Sequence, residues 1–236
     1  MSGSTQHRRA DDSARLWVPR RSPSGEALSG ETGPKATRER RAVMRHLLLR
    51  AQAWWDTQRF DQPAWQVAEW REQKLRHIQL HVAKALGKVV AAYDAGAGAT
   101  SGTDALARIH NEVLPDLAIY RSQLLNLFPE VGAPSALAHR RADGDTPTAE
   151  SLLQVVLDLS RASAQLAAYL EPREHGAASP VSYIQEAIEY LHAGAEALAA
   201  VLAVDLVHAH QARLEALLGA PLPASLVEEG QPSLGT

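Results

Sequence analysis

The chain contains no cysteine, which excludes disulfide bonds, thiolate zinc sites and cysteine nucleophiles together. Aromatic residues make up only 5% of its 236 residues, so the 45% hydrophobic content comes mainly from alanine, leucine and valine. This composition suits closely packed helices better than sheets, because sheets favour β-branched and aromatic side chains. A chain of this length can bury the core of one large domain or of two small ones.

Long apolar runs and a strong charge of one sign are also missing. No segment approaches the ~20 uncharged apolar residues that span a bilayer, and Glu196 interrupts the best candidate, Ala193–Val204. The sequence starts with polar residues and has no apolar signal-peptide core. The net charge of −3 is typical of neither a nucleic-acid-binding protein nor an acidic, solvated chain. We therefore expect a cytoplasmic protein that has no membrane contact.

Charge is nevertheless spread unevenly along the chain. The first 41 residues carry nine Lys or Arg against five acidic residues, and they are rich in Ser, Gly and Pro. Such a segment buries too little apolar surface to offset the entropy of ordering. We predict a disordered basic tail over residues 1–36 and a flexible tail over residues 220–236. Nucleic-acid binding is not expected, except weakly through the basic tail.

Hydrophobic side chains recur at helical spacing through the rest of the chain, and no alternating strand pattern competes. The spacing predicts an all-α domain over residues 37–219, in which antiparallel bundle packing buries the apolar stripes. Pro115 is expected to kink the third helix, and Asp205 to cap a new segment inside the fifth. Caps and breakers predict five helices, over Thr37–Trp55, Asp61–Tyr93, Asp104–Phe128, Thr146–Glu171 (or a start at Thr148) and Ser179–Gly219.

The second and third helices, and the fourth and fifth, form two candidate helical hairpins. The first helix of each pair carries an Ala-Ala-Tyr triplet, at Ala91–Tyr93 and Ala167–Tyr169. A tandem duplication over about residues 75–128 and 148–218 would pack the hairpins as a pseudo-twofold bundle. The alternative is that alanine- and leucine-rich helices resemble one another by composition alone.

Short segments in the two hairpins carry a recognisable pattern. They are KALGKV (84–89) and VLPDLAIY (113–120) in the first hairpin, and QVVLDL (154–159) and EAIE (186–189) in the second. The run VDLVHAHQARLE (204–215) follows them. From about residue 75 to 218 the chain resembles the MazG-like, all-α nucleoside-triphosphate pyrophosphohydrolases. Their helices typically carry Glu-Glu-x-Gly-Glu-Leu, then Glu-Leu-x-Asp-Val-x-x-Tyr, and a terminal Gly-Ile-Asp-Leu.

The resemblance implies acidic residues that hold Mg²⁺ while a triphosphate is cleaved to a monophosphate and pyrophosphate. Several of the matched positions here are not acidic. At an effective dielectric constant of 20, an ammonium group 4 Å from a divalent ion repels it by on the order of 8 kcal/mol. The matched positions are Lys84, Ala85, Lys88 and Asp116 in the first hairpin, and Gln154, Val155, Asp158, Glu186 and Glu189 in the second.

These substitutions lead to a prediction for each hairpin. The first is expected to be a metal-free, salt-bridged site in which Lys84 or Lys88 faces Asp116. The second is at best a weak site for one ion, with Asp158, Glu186 and Glu189 as ligands. Arg161 lies one turn from Asp158 and offers it an internal partner instead. No cofactor is expected unless the protein is an active enzyme, which would require Mg²⁺.

Three functions are consistent with the sequence. The first is a MazG-like helical scaffold without efficient metal-dependent catalysis, which binds a protein partner or a nucleotide-like ligand. The second is an active nucleotide pyrophosphohydrolase, and the third is an unrelated helical structural protein. His77 and His81 have a metal-compatible spacing but no identifiable third ligand. The sequence leaves open whether the chain forms a homodimer.

Overall fold

A computed structural model describes residues 34–60, 68–97, 102–132 and 149–222. These residues are almost entirely helical and contain no strand, so the predicted all-α class is confirmed. The α-helices are α1 (Pro34–Phe60), α2 (Ala68–Ala97), α3 (Gly102–Arg108), α4 (Leu114–Leu127), α5 (Ala149–Glu174), α6 (Ser182–Val201) and α7 (Leu206–Leu218). A π-helical turn (Ile109–Val113) joins α3 to α4, and a 3-10 turn (Pro129–Val131) follows α4.

The main core lies among α2, α4, α5 and α6. Helix α5 packs along α6, α2 packs on α5, and α4 packs on α6 and contacts α2. The core side chains are mostly aliphatic, with Phe128 and Tyr169 meeting edge to face at a centroid distance of 5.6 Å. Each fully buried Leu, Ile or Val contributes roughly 1.5–3 kcal/mol through removal of apolar surface from water. The helical periodicity of the sequence therefore accounts for the interior.

Helices α1 and α7 pack on α4 outside this core. A smaller cluster of Leu48, Ala51 and Leu214 joins them to each other. Helix α7 bends away from α6 by 100°, which lays it across α4 instead of extending α6. This bend brings the basic residue of the terminal segment, Arg213, to the side of α4 that carries Asp116.

The junction between α6 and α7 contains the cap that the sequence predicts. Oδ1 of Asp205 accepts hydrogen bonds from the backbone N–H groups of Val207 and His208, at 2.9 and 3.1 Å.

No single helix in the described part of the chain is long and apolar enough to cross a membrane. Helices α6 and α7 together have the necessary length and composition, but as a pair bent by 100°.

Several helix ends differ from the predicted bounds: α1 continues to Phe60 and not Trp55, and α2 to Ala97 and not Tyr93. Helix α1 begins at Pro34, so the predicted cap Thr37 lies inside its first turn. Helix α5 continues to Glu174, with Pro172 in its last turn. Helix α6 begins after Val181 and not at Ser179, whose Oγ has no hydrogen-bond partner among the described residues.

Other predicted features lie largely outside the described residues. They are the capped helix starts at Asp61 and Thr146, the tail up to residue 33 and the tail beyond residue 222. The described ends of the two tails are Pro34–Ala36, which belong to α1, and residues 220–222, which follow α7. Gly219 ends α7 in the left-handed region at φ 67°, as expected of a C-terminal glycine.

Candidate functional site

A crevice of about 320 Å³ lies between α2, the segment from the π turn to α4, and α7. It contains all four positions that the sequence singles out in the first hairpin, together with residues that the sequence analysis gave no role. We call it the α2–α4 crevice. Its lining residues are His81, Lys84, Ala85, Lys88, Glu112, Val113, Asp116, Tyr120 and Arg213.

Helical spacing explains how α2 and α4 present these side chains. His81, Lys84 and Lys88 recur at intervals of three and four residues, so they lie on one face of α2. Asp116 and Tyr120 are four apart on α4 and face them. The Tyr120 hydroxyl lies 2.7 Å from Nδ1 of His81, which fixes the register of the two helices.

Each carboxylate of the crevice is paired with a cation. Nε of Arg213 donates to Oδ1 of Asp116 at 2.9 Å, and Lys88 forms an ion pair with Glu112. The structure thus brings the two predicted lysines and Asp116 into one crevice. The predicted pairing of a lysine with Asp116 is replaced, since α7 supplies the partner of Asp116.

Glu112, the partner of Lys88, lies in a π turn that the helical spacing of the sequence does not predict. The backbone N–H of Leu114 bonds to the carbonyl of Ile109, five residues back. Pro115 has no N–H, and its ring crowds the carbonyl four residues earlier, so a wider turn in front of it relieves the clash. Sequence analysis predicts the kink at Pro115. The rotation that the wide turn imposes on Glu112 does not follow from the hydrophobic period.

Electrostatics leave the crevice with a surplus of positive charge. Lys84, Lys88 and Arg213 oppose two carboxylates, and Lys84 forms no ion pair with any described residue. The hydrogen bond from Lys88 lowers the pKa of Glu112, so this carboxylate is ionised. Burial, followed by repulsion from Lys84, lowers the pKa of His81, so its ring is neutral at neutral pH. Burial, and next the charge of Asp116, raise the pKa of Tyr120 and keep its hydroxyl protonated.

These residues do not fit a magnesium site. A hard divalent cation takes several oxygen ligands, and both carboxylates here are already engaged by cations. Among the described residues, no three His, Asp or Glu side chains are grouped as metal ligands. His77 lies close to His81, with ring centroids 4.3 Å apart, but the Tyr120 hydroxyl occupies Nδ1 of His81. The arrangement suits an anionic group better than a cation.

In the second hairpin, the three acidic residues predicted as metal ligands lie apart and have separate partners. Asp158 is buried beside the buried Val155, accepts a hydrogen bond from Gln154 at 2.9 Å, and has Arg161 at 3.6 Å. Glu186 instead accepts a hydrogen bond from Gln165 at 2.6 Å, and Glu189 one from Gln185 at 3.4 Å, both near the surface.

Helix register explains the separation of Asp158 from the other two acids. A Cβ added to Gly194 would lie 3.5 Å from Cβ of Asp158, so Asp158 packs at the level of Gly194 on α6. Glu186 lies eight residues earlier in the sequence, which is about 12 Å along the helix axis. The three acids therefore do not form one site.

The same register bears on the tandem repeat. The alignment that equates Lys88 with Asp158 also equates Glu112, the partner of Lys88, with Gln185. Asp158 lies instead against Gly194, about two and a half helical turns beyond Gln185. The two hairpins thus pack in different registers, and the motif positions of the second do not form a crevice like that of the first.

Comparison with known proteins adds no relative. No protein-family model, curated protein or solved structure matches the chain.

Proposed function

We propose that the chain is a MazG-like helical scaffold that acts by binding and lacks efficient metal-dependent catalysis. The observation that carries this proposal is the pairing of both crevice carboxylates, Asp116 with Arg213 and Glu112 with Lys88. A metal ion that entered would have to displace these cations and would then remain close to them. At an effective dielectric constant of 20, each would repel a divalent ion at 4 Å by on the order of 8 kcal/mol.

Lys84 suggests what the α2–α4 crevice binds. Its ammonium is exposed and has no ion-pair partner in the described part of the chain, and the crevice carries one cation more than it has carboxylates. Cationic side chains bind phosphate groups through charge-assisted hydrogen bonds. A metal-free nucleotide or another phosphate-bearing ligand is therefore the favoured partner of this crevice.

Two assays test the absence of catalysis. Full-length protein should release no pyrophosphate above background from a panel of nucleoside triphosphates with Mg²⁺ or Mn²⁺. Calorimetric titration should show no micromolar binding of either ion. Micromolar binding that disappears in Asp116→Ala would overturn the proposal. Pyrophosphate release that is lost in Asp158→Asn or Glu186→Gln would establish the enzymatic alternative.

A binding assay tests the role of Lys84. We expect Lys84→Ala to weaken ATP binding in EDTA about tenfold at low salt, whereas Lys84→Arg retains it. Arg76→Ala is the matched control, because it removes an exposed cation from a distant ion pair with Glu174. Equal ATP affinity in Lys84→Ala and the parent would exclude the crevice as the ligand site.

A further inference from the structure

A second cavity, of about 570 Å³, lies between α1, α4, α6 and α7. It faces the side of α4 opposite the α2–α4 crevice, since Ala118, Ser122 and Leu125 line it and Asp116 and Tyr120 do not. We call it the α1–α4 cavity. Its basic and imidazole side chains are Arg45, His46, Arg121, His192 and His210, and Glu196 is the one carboxylate among its described lining residues.

The charges of the α1–α4 cavity do not balance. Arg45 donates to Oε1 of Glu196 at 2.7 Å, and Nδ1 of His192 approaches the same oxygen at 3.9 Å. This engages the carboxylate. Arg121 forms no ion pair with a described residue, and its Nε is sealed from solvent without a hydrogen-bond partner. Among the described lining residues, two guanidinium groups, those of Arg45 and Arg121, thus stand against one carboxylate, that of Glu196.

Arg121 is partly buried and stays charged. Burial, and next repulsion from Arg45, lower its pKa to about 10 against the attraction of Glu196, which still leaves it protonated at neutral pH. A buried charge without a partner is costly, and so is a buried donor without an acceptor. Titratable groups with perturbed pKa values that converge on a cavity mark a candidate ligand site.

His210 supplies a second unsatisfied group on the same cavity wall. Its ring is 6% exposed, and Nε2 has no hydrogen-bond partner within the described residues. Burial, with added repulsion from Arg121, lowers its pKa to about 3, so the ring is neutral at neutral pH. A neutral imidazole adds no charge, so the described lining residues of the cavity carry one net positive charge.

We propose that the α1–α4 cavity binds a small organic acid, with its carboxylate against the Arg121 guanidinium and an apolar chain along the leucine-lined wall. One uncompensated guanidinium matches one negative charge, which favours a carboxylate over a divalent phosphate. Its planar fork pairs with carboxylate oxygens. The volume lies within the range of small-molecule sites. The apolar lining residues include Leu48, Leu49, Leu125, Leu206 and Val207.

Titration of the full-length protein with a series of straight-chain carboxylates tests this proposal. Hexanoate and octanoate should bind saturably by calorimetry and raise the melting temperature. Affinity should rise at least threefold from butanoate to octanoate as more apolar chain is buried. Hexylamine, which has the opposite charge, and inorganic phosphate, which has no apolar chain, should bind at least tenfold more weakly. Equal binding of hexanoate and hexylamine, or no carboxylate binding up to 10 mM, would overturn the proposal.

Two variants place the ligand. Arg121→Met should weaken octanoate binding at least tenfold, while the ligand-free protein melts at the same or a higher temperature because a partly buried charge without an ion pair among the described residues has been removed. Ala118→Leu should weaken binding by filling the cavity. Arg76→Gln, on α2 away from the cavity, is the matched control and should bind like the parent. Unchanged octanoate affinity in Arg121→Met, or a large loss of ligand-free stability, would contradict the assignment.

Discussion

Asp56 and Lys74 form a buried ion pair between α1 and α2. Nζ of Lys74 lies 3.7 Å from Oδ1 of Asp56, which also accepts a hydrogen bond from Gln123 of α4 at 2.7 Å. Burial raises the pKa of Asp56 and lowers the pKa of Lys74, so each charge depends on the other. Gln52 is also buried beside them. This cluster connects α1, α2 and α4. Burying two charges costs desolvation free energy, and we infer that the pair is kept because it specifies how α1 packs on α2 and α4.

Removal of either Asp56 or Lys74 alone should therefore lower the free energy of unfolding. We expect Lys74→Met to lower the free energy of unfolding by about 3 kcal/mol, because it leaves a buried carboxylate without its counter-charge. The double variant Asp56→Asn/Lys74→Met should recover part of this loss. Urea denaturation measures both, with Lys84→Met as the control at an exposed lysine. A loss in Lys74→Met no larger than in this control would contradict the buried pairing.

His210 should make the stability of the protein depend on pH. Its folded pKa is about 3, against about 6.5 when unfolded, so the unfolded chain binds more protons as the pH falls. Stability is therefore full above pH 6.5 and is lost as the pH falls from 6.5 towards 3. The loss is at most about 5 kcal/mol, at 1.36 kcal/mol per pKa unit.

Denaturation curves between pH 7.5 and 4.5 test this dependence. His210→Leu should flatten the pH dependence of the unfolding free energy. His208→Leu should leave it unchanged, since His208 lies two residues away and is exposed. An unchanged slope in His210→Leu would show that His210 titrates normally.

At the scale of the helix, the end of α6 contains a residue in an unfavourable conformation. Ala203 has φ of 53°, and the N–H of Val204 bonds to the carbonyl of Ala199 at 2.9 Å in a Schellman-type cap. Glycine usually fills this position, because a Cβ crowds the left-handed region. We expect Ala203→Gly to raise the free energy of unfolding by about 1 kcal/mol, measured in urea. Ala200→Gly, in the last turn of α6, is the control and should lower it by a similar amount.

Helix boundaries show what local sequence can and cannot predict. Asp205 and Gly219 are correctly identified as cap and stop, because each acts on the backbone within three residues of itself. Ser179 is not a cap, although it precedes a proline as many caps do. The N-cap is Val181, two residues later, and its side chain makes no capping hydrogen bond, so no local sequence signal marks the start of α6. The π turn before Pro115 goes unpredicted because it alters rotation and leaves the hydrophobic stripe intact.

At the scale of the whole molecule, α4 is the helix on which the two candidate sites depend. One side of it forms the α2–α4 crevice with α2 and α7, and the opposite side forms the α1–α4 cavity with α1, α6 and α7. The sequence predicts the approach of Lys84 and Lys88 to Asp116, through the family resemblance. It does not predict the ion pair of Asp116 with Arg213, because that contact depends on the 100° bend between α6 and α7.

Replacing Lys84 and Lys88 by glutamate tests whether the crevice has the geometry of a MazG-like metal site. Lys84→Glu/Lys88→Glu would place four carboxylates around the crevice, together with Glu112 and Asp116. If the crevice has the geometry of a metal-binding ancestor, this variant should bind Mg²⁺ in the millimolar range. At 10 mM Mg²⁺ the gain in unfolding free energy should be about 1 kcal/mol, whereas the parent should gain none.

The matched control for this variant is Lys84→Gln/Lys88→Gln, which removes the same positive charges but adds no oxygen anions. If Mg²⁺ raises the unfolding free energy of the glutamate variant alone, the crevice has the geometry of a metal site and the parent lacks only the carboxylate ligands. An equal gain in both variants would point to general charge screening, since the carboxylates would then add nothing. No gain in a folded glutamate variant would mean that α2 and α4 hold their side chains too far apart for one ion. The resemblance would then be one of composition, and the chain an unrelated helical protein.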